Sequence, residues 1–106
     1  MPKYMVKASY TPEGVRGVMK EGASSRRAVV ESMINGLGGS LEAFHFAFGD
    51  DDVYVTADLP SNSVAAALAL AINSTDAVSV KTVVLMTPEE VDEATKLTVG
   101  YKPPGA

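Results

Sequence analysis

The period of the apolar residues switches back and forth along this chain, and the order of the switches narrows the folds open to it. Tyr4, Val6, Ala8 and Tyr10 alternate, as on one face of a strand. Val30, Met33, Ile34 and Leu37 recur at helical spacing. Two short alternating runs follow at 41–48 and 53–59, then a helical run at 63–73 and a strand-like run at 78–86. Strand–helix–strand–strand–helix–strand is the ferredoxin-like split βαβ order, an α+β fold with a four-stranded antiparallel sheet. Its helices cover one face of the sheet, so the other face must meet something else. The pattern therefore predicts an assembly, with a pocket or an interface on the open face.

Local signals place the boundaries. Residues 3–10 read as the first strand. Thr11-Pro12 starts a helix, with Thr as N-cap and Pro at the first helical position. Gly14 and Gly17 make the segment 13–21 a weak helix, and Gly22 is expected to break it. Ser24 or Ser25 then caps a second segment, 26–37, which Gly38-Gly39 stop. The second strand is predicted at 40–48 and the third at 52–59, joined by the acidic turn Gly49-Asp50-Asp51-Asp52. Pro60 ends the third strand, and Ser61 or Asn62 caps the alanine-rich helix 63–73. The fourth strand is predicted at 77–86. Thr87, Pro88 and Glu90 then form an N-cap, an N1 proline and a capping-box acid, which start an extra helix to about Leu97. The tail GYKPPGA cannot be helical and should be extended. The whole chain, 1–106, reads as one domain.

Composition excludes more than it selects. There is no cysteine, so disulfides, thiol catalysis and thiolate metal sites are out. A single histidine leaves little for a zinc centre, and neither a metal nor a cofactor is expected. Nine basic residues in a chain of net charge −4 make a poor footprint for nucleic acid. Arg26-Arg27 lie beside Glu21 and Glu31, which marks a solvated helix face. The longest apolar run, Val64 to Ile72, is too short to span a membrane, and the opening MPKYMVKASY is no signal peptide. The expected location is cytoplasmic. The three consecutive aspartates lack the spacing of a calcium loop and read as a turn. The glycines at 36, 38 and 39 end a helix instead of opening one, so they are no dinucleotide fingerprint.

The candidate site residues come from the face opposite the all-apolar sets. On the first strand that face carries Met5, Lys7 and Ser9; on the third, Tyr54, Thr56 and Asp58; on the fourth, Ser79, Lys81, Val83 and Leu85. Alternation alone lets Phe44, Phe46 and Phe48 join it as an aromatic rim, unless a bulge inverts the strand. Charges on a face that becomes buried must pair or hold a ligand. One reading is an anionic small-molecule pocket built by Lys7, Ser9, Tyr54, Asp58 and Lys81. The other is a salt-bridge network between subunits, with Lys7 paired to Asp58. His45 is the only side chain that ordinarily titrates near neutral pH, and it reads either as a general base or pocket donor or as an edge histidine held by hydrogen bonds.

The segments KYMVKASYTPEGVRG, GGSLEAFHFAFGDDDVYV, AAALALAIN and LMTPEEVDEATK together resemble the GYD-domain family, small bacterial and archaeal proteins. The hairpin gives that family its name: a glycine followed by a tyrosine–aspartate pair. Here Gly49 and Asp52 match, while Asp51 stands where the tyrosine would be. The resemblance implies membership of the dimeric α+β barrel group, in which two such sheets assemble around a central cavity. It supplies no catalytic residue to carry over. Two functions remain in view: a non-catalytic homo-oligomeric module, binding a small molecule on the open face, or a cofactor-free enzyme of the monooxygenase or isomerase kind. Tyr101-Lys102-Pro103-Pro104 is stiff and apolar enough to lie as an arm across a neighbouring subunit, with a frayed tail as the alternative.

Overall fold

The computed structural model describes residues 1–106. Its elements are β1 (Lys3–Tyr10), α1 (Pro12–Glu21), α2 (Ala23–Gly36), β2 (Ser40–Phe46), β3 (Val53–Asp58), α3 (Asn62–Asn73), β4 (Val78–Leu85) and α4 (Pro88–Thr95). The strands form one antiparallel sheet in the order β2-β3-β1-β4. This is the predicted ferredoxin-like α+β arrangement with a fourth helix added.

The start of α1 is fixed by what it touches. Thr11 Oγ1 accepts the Gly14 N–H (3.3 Å), and Pro12 occupies the first turn, where no N–H is needed. Thr11 also donates through its N–H to Ala77 O (3.0 Å) and through its hydroxyl to Asp76 O (2.7 Å). The helix therefore sits on the chain that leads into β4. Gly14 is buried there, and a Cβ on it would collide with Ala77 O. α2 begins at Ala23, earlier than the expected 26, and has no side-chain cap. Gly22 makes the join: it adopts φ +92°, and its carbonyl accepts the Arg26 N–H (3.3 Å), so the second helix restarts at once.

β2 differs most from expectation. Leu41 pairs with Ala57, but Ala43 pairs with Thr56, so the strand holds one extra residue at Glu42. Beyond that bulge the faces invert. Leu41, Phe44 and Phe46 all pack against the core, while His45 turns to the other side. The expected aromatic rim on the open face is therefore absent. The phenyl rings of Phe44 and Phe46 meet edge to face at 5.4 Å under the helices. The strand also stops at Phe46 instead of 48, because Phe48 takes φ 54° and leaves the sheet, exposed.

The core lies between sheet and helices. Tyr4, Val6 and Ala8 from β1, Val53, Val55 and Ala57 from β3, and Val80 from β4 meet Ile34 of α2 and Ala65 and Leu68 of α3, with Leu59 from the loop after β3. The Tyr4 hydroxyl donates to Asn62 Oδ1 (2.5 Å), which satisfies its one polar atom in the interior. Past Leu85 the chain leaves the body. Every residue from Met86 to Ala106 is exposed, although α4 carries the full predicted capping box. The radius of gyration is 17.0 Å, against about 13 Å for a compact chain of this length, and the molecule extends 56 × 34 × 23 Å.

Candidate functional site

The six sequence-derived site residues do share the uncovered face, because residues paired across an antiparallel ladder point the same way. One row runs across all four strands: His45, Tyr54, Lys7, Lys81. The next row toward one end pairs Ser9 with Ser79, and the rows toward the other pair Met5 with Thr56 and Val83, then Lys3 with Asp58 and Leu85. Asp58 is thus four residues along β3 from the partner of Lys7, roughly 13 Å at the rise of a strand. The expected Lys7–Asp58 pair does not form. Lys3 takes that place: its ammonium donates to Asp58 Oδ1 (3.1 Å) and to Glu42 Oε2 (2.6 Å), the residue that the bulge displaces.

The hydrogen bond to Glu42, then that to Asp58, holds the Lys3 ammonium above the ordinary lysine value. A raised value in the folded state means that this contribution to stability is complete below the unfolded lysine value. It is lost as pH rises through the folded one. Lys3→Met is therefore expected to lower the melting temperature at neutral pH and to change nothing once the ammonium is titrated in strong alkali. A double-mutant cycle of Lys3→Met with Asp58→Asn should show coupling, while the cycle of Lys7→Met with Asp58→Asn should show none. Coupling in the second cycle would contradict this register.

The acidic hairpin is structural. Asp51 is only 6% exposed, and its Oδ1 accepts from Ser9 Oγ (3.0 Å) and lies 3.9 Å from the Lys81 ammonium. Asp52 Oδ2 accepts the Tyr10 N–H (2.8 Å), and its own N–H donates to Ala8 O (2.8 Å). The two aspartates thus tie the turn to the end of β1. No three His, Asp or Glu side chains gather closely enough to hold a metal ion. Asp51→Ala removes the only hydrogen bond to the Ser9 hydroxyl and is expected to cost about 2 kcal/mol in chemical denaturation, with Asp51→Asn recovering part of it.

The cavity is on the other face. A space of ≈ 580 Å³ lies between the sheet and the helices. Its floor is Val6, Ala8, Val53, Val55, Ala57 and Val80; its walls are Val18, Val30 and Met33 on one side and Leu68 and Ile72 on the other. Of 24 lining residues, 18 are hydrophobic, and the charged ones, Glu13, Glu21 and Arg26, come from α1 and the start of α2. The space has two causes. Small residues face it from several elements: Ala8, Ala57, Gly14, Gly17 and Ala71. The helices also divide their support, α2 lying over β2, α1 by β1 and α3 over β4, which leaves space between them. Such a volume is ordinary for a small-molecule site.

A family model described as GYD domain matches residues 4–95. The chain belongs to the GYD domain family. The match runs from Tyr4 in β1 to the end of α4 and leaves residues 1–3 and 96–106 outside it. No curated protein and no solved structure matches the chain. In this GYD domain the Asp51 carboxylate accepts from Ser9 and closes the hairpin onto β1. The sequence reading missed Lys3 and the cavity. The signal for the cavity was present as glycine and alanine on inward faces; its size was not, because it depends on how far apart α2 and α3 stand.

Proposed function

We propose that this GYD domain is a binding module for an apolar small molecule, held between the sheet and helices α1, α2 and α3. The observation that carries the reading is the cavity of ≈ 580 Å³ with 18 hydrophobic residues among 24. Apolar area removed from water there drives binding, while Glu13, Glu21 and Arg26 meet the polar end of the ligand. No helix is long and apolar enough to cross a membrane. The uncovered face, with Met5, Tyr54 and Val83 among its residues, is closed by a second copy of the chain, which makes the module a homo-oligomer.

Titration with a fluorescent apolar probe such as anilinonaphthalene sulfonate, followed by displacement with alkyl carboxylates and alkyl amines of graded length, tests the cavity. Saturable one-to-one binding is expected, with displacement improving about fourfold per added methylene until the cavity is full. Binding that does not saturate, or displacement indifferent to chain length, overturns the reading. Sedimentation tests the oligomer: a single species near 11.1 kDa contradicts it.

A further inference from the structure

The region from Met86 onward is a well-capped helix and a tail that bury no residue in their own chain; the tail, expected to be extended, turns at Val99–Tyr101 and at Pro103–Ala106. The hydroxyl of Thr87 accepts the Glu90 N–H (3.1 Å), and the Glu90 carboxylate accepts the Thr87 N–H (3.1 Å). α4 is thus locally specified, yet it buries no residue. An isolated helix of eight residues is marginal in water, so one that is built this carefully needs a surface. Its exposed apolar residues are Val91 in the helix and Leu97, Val99 and Tyr101 beyond it. In the sequence the last three alternate with Thr98, Gly100 and Lys102, a spacing that would bring them to one side of the segment if it straightened on a surface; in the free chain the Tyr101 N–H turns back to Val99 O (2.9 Å).

The charge on the arm identifies that surface. Between Pro88 and Thr95 there are four acids, Glu89, Glu90, Asp92 and Glu93, and no base. On the uncovered face of the sheet, Lys7 and Lys81 stand directly opposite each other in the ladder, an arrangement that disfavours the fold unless an anion lies nearby. Lys7 has no carboxylate within ion-pair distance, and Lys81 has only Asp51 at 3.9 Å, which Ser9 already engages. The adjoining row supplies apolar partners, Met5 opposite Val83.

We infer that the C-terminal arm of one copy lies across the uncovered sheet face of a second copy, with the acids of α4 over Lys7 and Lys81 and with Val91 and Leu97 over Met5 and Val83. The exchange is reciprocal, so each copy gives an arm and receives one. It rests on the homo-oligomer reading and adds the segment that does the bridging.

Two charge-reversed variants test it. The face variant carries Lys7→Glu and Lys81→Glu. The arm variant carries Glu89→Lys, Asp92→Lys and Glu93→Lys and keeps Glu90 for the capping box. Each alone sets like charge against like and is expected to weaken self-association at least tenfold in sedimentation. Mixed together they pair oppositely at both contacts, so native mass spectrometry should show the mixed dimer in excess over either homodimer. Added salt should loosen the wild-type dimer. Truncation after Met86 should give a folded monomer, since no residue of the arm is buried in its own chain. Probe binding in the cavity is expected unchanged in all of these, so a failed cavity reading is told apart from a failed arm. A truncated chain that dimerises as tightly as the full one, a mixture with no preference for the mixed dimer, or a wild-type chain that stays monomeric each overturns the inference.

Discussion

Gly39→Ala is expected to destabilise the domain by about 3 kcal/mol, although it adds a single methyl group. Gly39 lies where α2 turns back into β2. A Cβ there would fall inside contact distance of Asp58 O, 2.9 Å from Leu59 Cδ2 and 3.2 Å from Ile34 Cγ2. None of the three has room to yield. The Asp58 backbone is held in the ladder between β1 and β2, Leu59 is fully buried, and Ile34 is 1% exposed. Gly38→Ala next door is the control. Gly38 has φ +84° and only Pro60 Cγ nearby, at 3.5 Å, so its cost is the left-handed backbone, about 1 kcal/mol. Urea midpoints for the pair should differ in that order. A loss at Gly39 no larger than at Gly38 would mean that the turn after α2 does not sit against the end of β3 at Asp58.

Ala8→Leu is expected to move the two readouts in opposite directions. Ala8 is a buried floor residue of the cavity, on β1. In a filled core, three added carbons would force strain and cost about 1–3 kcal/mol. In a cavity of ≈ 580 Å³ they find space, and each carbon removed from water contributes about 0.8 kcal/mol. Thermal unfolding of the free protein should therefore show a gain of about 2 kcal/mol, while affinity for the apolar probe falls at least tenfold. A destabilised variant with intact binding would place the ligand elsewhere. Leu68→Ala, from the opposite wall, should show the reverse: a less stable protein that admits larger ligands.

The order of elements was readable because each change of period is local. Tyr4, Val6 and Ala8 announce a strand without reference to anything distant, and Thr87-Pro88-Glu90 announce a helix start in the same way. The membership of each face in β2 was not. SLEAFHF alternates equally well in either phase, and only the pairing of Leu41 and Ala43 with β3 reveals that Glu42 is extra. That one residue decided three outcomes: Phe44 and Phe46 went to the core, His45 went to the open face, and Glu42 came within reach of Lys3. The partner of Asp58 was unreadable for a related reason. Lys3 and Lys7 have the same parity on β1, and the register alone chooses between them. The open-face row of Tyr54, Lys7 and Lys81 was legible from alternation, and His45 joins it only through the bulge. The cavity beneath the helices was not, since alternation says which side a residue faces and nothing about how closely the next layer approaches.

The glycine joint between α1 and α2 has a kinetic consequence. α1 forms one flank of the cavity, yet within its own length it buries only Gly14, and Gly22 leaves α2 without a side-chain cap. Such a segment sits at the low end of local stability, and its amide hydrogens should exchange with solvent well before those of β1 and β3. Val18 of this helix lines the site, so each opening of α1 would strip one flank from a bound molecule. The backbone at one glycine would then contribute to how long a molecule stays, beside the apolar contacts inside.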